Sequence, residues 1–244
     1  TEMEFYQVER DDLLFIEGAP ARYGTVAPPY GCTNGLATDD SFTCTAPSGW
    51  VNVSSGLLAQ CTGYALYTNG NRLAASGTAA SLAYTHAGSA RLVWNWQRRA
   101  LLSVTNGDHG SVSSYGGWVD GGDELVATAT PDAGYRFACW SGDVPADSRF
   151  AATLALPGGE PRSATARFGI DCHVTTEGSD TTGDGLSWAT AWRTVSTALA
   201  QAPDYSRVLI SNGTYSVSGL ALDRPLTLEG VGPGETILDA GGSS

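Results

Sequence analysis

Short runs in which apolar and polar residues alternate dominate the chain. Residues 13–17, Ser41–Thr45, 58–67, 80–85 and 90–97 read as strands, and where apolar and polar residues alternate, successive side chains point to opposite faces of a sheet. Asp123-Glu124-Leu125-Val126-Ala127-Thr128 alternates in the same way, and Pro131-Asp132-Ala133-Gly134 closes it as a turn. Residues 135–140 alternate again, which predicts Tyr135, Phe137 and Cys139 on one face. Residues 151–156 and 163–168 read as the last strands of this stretch. From Ile170 the pattern changes. Residues 173–176 read as a strand and 177–185 as a polar, Gly-rich loop. Trp188, Trp192, Val195 and Leu199 then recur at helical spacing, predicting a helix within 188–202 with Ser187 or Thr190 as its cap and Pro203 as its stop. Residues 207–211, 226–229 and Thr236–Asp239 predict three further strands.

An internal repeat underlies the first part. Gly24-Thr25-Val26, Tyr30-Gly31, Asp40-Ser41-Phe42, Thr45-Ala46-Pro47 and Gly63-Tyr64 recur in order as Gly110-Ser111-Val112, Tyr115-Gly116, Asp123-Glu124-Leu125, Thr128-Ala129-Thr130-Pro131 and Gly134-Tyr135. Residues 101–169 resemble an internalin-type B-repeat. The features that carry the resemblance are Gly-Ser-Val, Gly-Asp-Glu-Leu, Ala129 to Phe137, Trp140-Ser141-Gly142-Asp143 and Thr165-Ala166-Arg167-Phe168. The resemblance implies a small β-rich spacer or adhesive module of secreted bacterial proteins, without catalysis. Residues 13–100 read as a longer relative, a β-sandwich or Ig-like unit.

The C-terminal part resembles the N-terminal cap and first coils of a right-handed parallel β-helix of the pectin-lyase-like class. Gly183-Asp184-Gly185-Leu186-Ser187-Trp188, Val208-Leu209-Ile210-Ser211-Asn212-Gly213 and Arg224-Pro225-Leu226-Thr227-Leu228-Glu229 carry that resemblance. It implies a helix lying over the open end of a coil stack, where strand edges would otherwise be bare. Enzymes of the class carry their charged catalytic groups on later coils than these. The expected fold class is therefore all-β: two tandem β-rich modules, sandwich or β-grasp-like, followed by the start of a right-handed parallel β-helix with one capping helix. The expected domains are 1–12, 13–100, 101–169 and 170–244. In residues 1–12, Met3, Phe5, Tyr6 and Val8 resemble the closing strand of a preceding module. That strand is read as belonging to a longer array, as pairing with a neighbouring subunit, or as folding back on its own module.

Composition narrows the functions. Thirteen basic residues, all Arg, face 25 acidic ones, a net charge of −12. Such a field repels nucleic acid and anionic lipid. No apolar run approaches the roughly 18 residues of a membrane span. No basic-then-apolar leader opens the chain, so a signal peptide is expected to be absent or already removed. The expected setting is extracellular or at a bacterial surface, with copies of the chain or further modules as partners, and glycans as ligands. The five cysteines form no CxxC pair and the histidines are scattered, which favours disulfides over a zinc site. Cys44 with Cys61 is the preferred pair and Cys139 with Cys172 the second, with Cys32 left over.

No catalytic residues and no cofactor are expected. Asp120, Asp123, Glu124 and Asp143 lie in turn-like contexts, and no nucleophile elbow precedes a helix. Glu177, Asp180 and Asp184 could offer oxygen ligands to Ca²⁺, but their spacing is not that of an EF-hand. Trp94 and Trp96 share a strand face and are expected in the core. Trp118 is the aromatic expected at the surface, where it could stack on a sugar. The alternatives to a structural or adhesive surface protein, with or without filament assembly, are the N-terminal part of a carbohydrate-active β-helix enzyme and a glycan-binding module.

Overall fold

The computed structural model describes residues 12–68 and 71–241. The chain is all-β, and its contacts divide it into two compact units. Residues 118–124 and 157–161 belong with the N-terminal unit, which otherwise runs to Leu102. The proposed assembly strand with Met3, Phe5, Tyr6 and Val8 lies outside the described residues.

The first unit is built from β1 (Leu14–Ala19), β2 (Gly31–Thr33), β3 (Ser41–Thr45), β4 (Val51–Ser54), β5 (Leu57–Thr68), β6 (Arg72–Gly77), β7 (Ser81–Thr85) and the first part of β8 (Ala90–Asn106). β5 and β8 run antiparallel, with Cys61 opposite Trp96 and Tyr64 opposite Trp94. β4 and β6 share the far edge of β5, and β1 pairs with β8 in parallel. A separate hairpin-like pair, β3 with β7, places Cys44 opposite Leu82. The core clusters Leu14, Ile16, Cys44, Ala59, Leu92, Trp94 and Trp96. Trp94 and Trp96 are both buried, as expected. β8 extends well past the predicted limit at 97. The strand runs on through Arg98 and Arg99, which pair with Glu160 and Asp120.

The second unit takes the end of β8 and adds β9 (Gly110–Val112), part of β10 (Gly116–Asp120), β11 (Glu124–Pro131), β12 (Arg136–Gly142), β13 (Thr153–Pro157) and β14 (Arg162–Gly169). β11 lies between β13 and β9, and β12 pairs with β14. Along β11 the alternation holds, with Ala127 and Ala129 inward. Along β12 it does not. The register shifts between Phe137 and Cys139, a bulge that turns Trp140 rather than Cys139 into the core.

The same unit continues through β15 (Asp171–Val174), the helix α1 (Val195–Gln201), β16 (Arg207–Ile210), β17 (Gly213–Ser216), β18 (Thr227–Gly230) and β19 (Thr236–Asp239). β15, β16 and β18 form a parallel ladder in which Asp171, Arg207 and Thr227 are in register. β17 and β19 form a second parallel pair. Cys172, Val174, Trp192, Val195, Ala198, Val208 and Ile210 pack between them. The α-helix is shorter than the spacing predicted. Ser187 caps only a 3₁₀ turn at Trp188–Thr190, and Thr194 caps α1 by accepting from the Thr197 N–H. Trp188 is half exposed, so it lies off the core face.

Asp171 joins the two halves of this unit. Its carboxylate accepts from Arg207 at 2.7 and 3.0 Å and lies 3.6 Å from Arg136 on β12. Arg207 also reaches Glu229, one rung further on. The Arg207 hydrogen bonds hold the Asp171 carboxyl below its ordinary range against the opposing effect of burial, helped by the charges of Arg207, Arg136 and His173. A depressed folded value stabilises above the unfolded carboxylate pKa of about 3.9 and is lost as pH falls below it. Urea unfolding from about pH 5 to about pH 2 should show this loss, and Asp171→Asn should flatten that part of the profile. An unchanged slope in the variant would contradict the assignment.

Candidate functional site

The parallel ladder of β15, β16 and β18 shows how its first strand is covered. The outer edge of β15 is met by an irregular segment: His173 N–H donates to Gly185 O, Thr175 N–H to Trp192 O, and Trp192 N–H to His173 O, at 2.9 to 3.0 Å. α1 packs beside β15. The edge groups of β15 are thus satisfied by loop backbone, and the helix contributes Val195 and Ala198 to the core beneath.

Asp180 organises this cover. Its Oδ1 accepts from the N–H groups of Arg193 and Thr194 at 2.9 and 3.0 Å, and its Oδ2 accepts from the Thr194 hydroxyl at 2.9 Å. Burial opposes ionisation, but the Thr194 and Arg193 donors outweigh it and hold the carboxyl below its ordinary range. Asp184 spends one oxygen on the Leu186 N–H. Both carboxylates are therefore turned to backbone donors. Among the described residues no cluster of three or more His, Cys, Asp or Glu could hold a metal ion. Asp180→Ala should cost about 1–2 kcal/mol, since two backbone N–H groups and a hydroxyl lose their charged acceptor, read as a lowered urea midpoint with an unchanged slope. A midpoint equal to that of the parent chain would show that water replaces the carboxylate without loss.

A cavity of about 460 Å³ opens beside this knot, lined by Ile170, Cys172, Asp184, Trp192, Thr197 and Gln201. Its acidic groups are already engaged, and His173 offers Nδ1 to Gly185 O at 3.2 Å. No nucleophile, base and orienting group converge there. At the other end of the ladder, β18 and β19 carry no strand on their outward sides among the described residues. Val231, Ile237 and Leu238 are exposed beside them.

The disulfide expectation is corrected: all five cysteines are free thiols. Cys44 and Cys61 face one core from different sheets, across from Leu82 and Trp96 respectively. Burial pushes the Cys44 thiol up to about 11, and the Cys61 thiol donates to Gly63 O. Cys139 lies opposite Arg167 in one ladder and Cys172 opposite Val208 in another. Burial and the adjacent Asp171 push the Cys172 thiol up to about 11, against a Ser206 hydrogen bond. Cys32 is exposed on the edge strand β2.

Trp118 is 44% exposed, but Tyr115 at 63% and Phe150 at 76% are more so. Alternation along β10 puts Trp118 on the same face as Asp120. Asp120 accepts from Arg99 Nε at 2.7 Å, and the Arg99 guanidinium lies 4.6 Å from the Trp50 ring. Gln97 Nε2 donates to Gln60 Oε1 at 3.1 Å in the next cross-strand pair, and Gln60 Nε2 donates to Ser48 O. The first unit thus presents Trp50, Gln60, Gln97, Arg99, Trp118 and Asp120 on the outward side of its main sheet, opposite the core. Trp50 and the two glutamines were not singled out from sequence. Period-two reading of β5 and β8 would have found Gln60, Gln97 and Arg99, since Ala59, Cys61, Trp96 and Ala100 alternate with them inward.

Asp143 accepts from Ser163 N–H and hydroxyl at a turn, and His109 stacks on Tyr135 at 4.0 Å, so both serve loop geometry. Among the described residues no helix is long and apolar enough to cross a membrane. The family described as the divergent InlB B-repeat domain matches residues 100–171, a module typical of bacterial surface proteins. Among curated proteins and among solved structures nothing matches the chain.

Proposed function

We propose that this chain is a non-catalytic, extracellular structural and adhesive segment of a bacterial surface protein. In this reading a sandwich-like unit and a B-repeat lead into the cap and first coils of a right-handed parallel β-helix of the pectin-lyase-like class. The observation that carries it is the passage from β14, at the end of the matched B-repeat, into the parallel rung β15 after a single residue and within one compact unit. Rungs that repeat chain direction in register are what coil stacking requires, and outward edges at β18 and β19 suit further rungs of the same kind. A net charge of −12 makes nucleic acid and anionic lipid poor partners. The partners in this reading are further modules of a longer chain or copies of it, with glycans as the ligand class and no cofactor.

Antibodies raised against the chain should label intact producing cells, and brief protease treatment of those cells should remove the label. Label confined to permeabilised cells would overturn the reading. A filament version adds Met3, Phe5, Tyr6 and Val8 as a strand donated to a neighbour. It predicts fibres of the purified chain in electron micrographs, and dispersed particles at high concentration count against it. The parallel rungs also favour a second reading, the N-terminal part of a carbohydrate-active enzyme. That reading predicts that the longer protein shortens a polysaccharide while residues 1–244 alone do not.

A further inference from the structure

We propose that the outward face of the first unit's main sheet binds a neutral polysaccharide. This rests on the adhesive part of the reading above and gives it a ligand class. The face is mixed: its polar groups stand beside the half-exposed Leu101 and beside aromatic side chains that no solvated sheet face requires. Trp118 presents an indole to solvent, and the Trp50 ring, already covered by the Arg99 guanidinium, holds that side chain in place at the other side of the row. A pyranose has an apolar face of C–H groups and a rim of hydroxyls. The first suits an indole and the second suits planar hydrogen-bonding groups that both donate and accept.

The groups between the indoles are of that kind. Arg99 and Asp120 fix each other at 2.7 Å while their side chains stay 35% and 40% exposed. The Gln97–Gln60–Ser48 chain orients two amides and leaves Gln97 Oε1 as an outward acceptor. Rotamer freedom is already spent in these contacts, so little is lost when a sugar binds. The row runs from Trp50, just before β4, across β5 and β8 to β10, about 14 Å at ordinary strand spacing, which suits several sugars rather than one.

Charge selects among glycans. The face's cation and anion neutralise each other, so it offers no net positive site for a carboxylated or sulfated sugar. The chain's net charge of −12 repels a polyanion further. A neutral chain of hexoses meets neither obstacle.

Calorimetric titration of the full chain with cellohexaose and mannohexaose, with polygalacturonate as the anionic comparison, tests the proposal. At least one neutral hexasaccharide should bind with an affinity indifferent to salt. Trp118→Ala should weaken that binding by about tenfold or more, since one aromatic stacking contact is worth that much. Gln97→Ala should weaken it less. Both positions are solvent-facing, and near-ultraviolet circular dichroism verifies that each variant keeps its fold. No binding of either hexasaccharide would overturn the proposal. So would undiminished binding in the Trp118→Ala, Gln97→Ala double variant, or binding of polygalacturonate that fades with salt. These outcomes are independent of the cell-surface labelling, so either idea can fail alone.

Discussion

Trp140→Ala is expected to destabilise the second unit by about 3–5 kcal/mol, the usual cost of removing a buried Trp. Trp140 is fully buried and sits across from Ala166 on β14, with the Phe137 ring 5.6 Å away and Phe168 beyond it. Its small neighbours, Ala164 and Ala166, cannot move in to fill an indole-sized hole. The indole N–H also donates to Ala151 O at 2.9 Å, tying the 3₁₀ segment at Ala146–Ser148 and the residues after it to β12. Alanine leaves that carbonyl without its donor, which adds to the cavity cost. Trp140→Phe separates the terms: it should recover most of the packing but not the hydrogen bond, and so fall between the parent and the alanine variant. Urea denaturation followed by far-ultraviolet circular dichroism measures both. A loss under about 1 kcal/mol in Trp140→Ala would mean that the core closes over the gap, contrary to the packing described here.

Trp140 also shows where local pattern stops being informative. The strands of β11 were legible because alternation, small inward residues and a closing Pro-Asp-Ala-Gly turn all agree. In β12 one extra residue at the bulge moves Trp140 from the solvent side of a simple alternation to the core side and takes Cys139 out of it. A bulge depends on what the partner strand offers, and β14 lies more than twenty residues further along. The early end predicted for β8 failed for a related reason. Arg98-Arg99 looks like a strand terminus until Glu160 and Asp120, distant in sequence, neutralise both side chains.

Cysteine spacing gave a plausible short loop for Cys44 and Cys61, but disulfide formation depends on which sheet each strand joins. β3 pairs with β7 while β5 pairs with β8, and spacing carries no trace of that choice. Beside β15 the presence of a helix was legible and its construction was not. Helical spacing from Trp188 to Leu199 merged a 3₁₀ turn, a bend and a true helix. The residue that holds the cap Thr194 in place from outside is Asp180, thirteen and fourteen positions before the N–H groups from which it accepts. Of the outward sheet face, Trp118 stood out as an exposed aromatic and Asp120 only as a turn-like carboxylate. The amide row becomes visible only when two strands are placed side by side.

Gly185→Ala should destabilise the cover on β15 by about 2–5 kcal/mol, combining left-handed backbone strain with overpacking. Gly185 has φ +72°, and a Cβ there would lie 2.6 Å from the Trp192 ring. The ring cannot easily yield. It is buried, its Nε1–H donates to Gly183 O at 3.1 Å, and its backbone N–H is bonded to His173 O. Gly185 itself accepts from His173 N–H and donates to Thr190 O, so a shift of its backbone would open the edge of β15. The loss should therefore be local first. Hydrogen exchange at His173 and Thr175 should quicken more than at Ala127 and Ala129 in β11, which lie in the B-repeat half of the unit. Uniform acceleration at all four sites would instead mean that cap and B-repeat open as one cooperative block. Unchanged exchange at His173 would show that the indole swings aside at little cost and that the cover on β15 is looser than its hydrogen bonds imply.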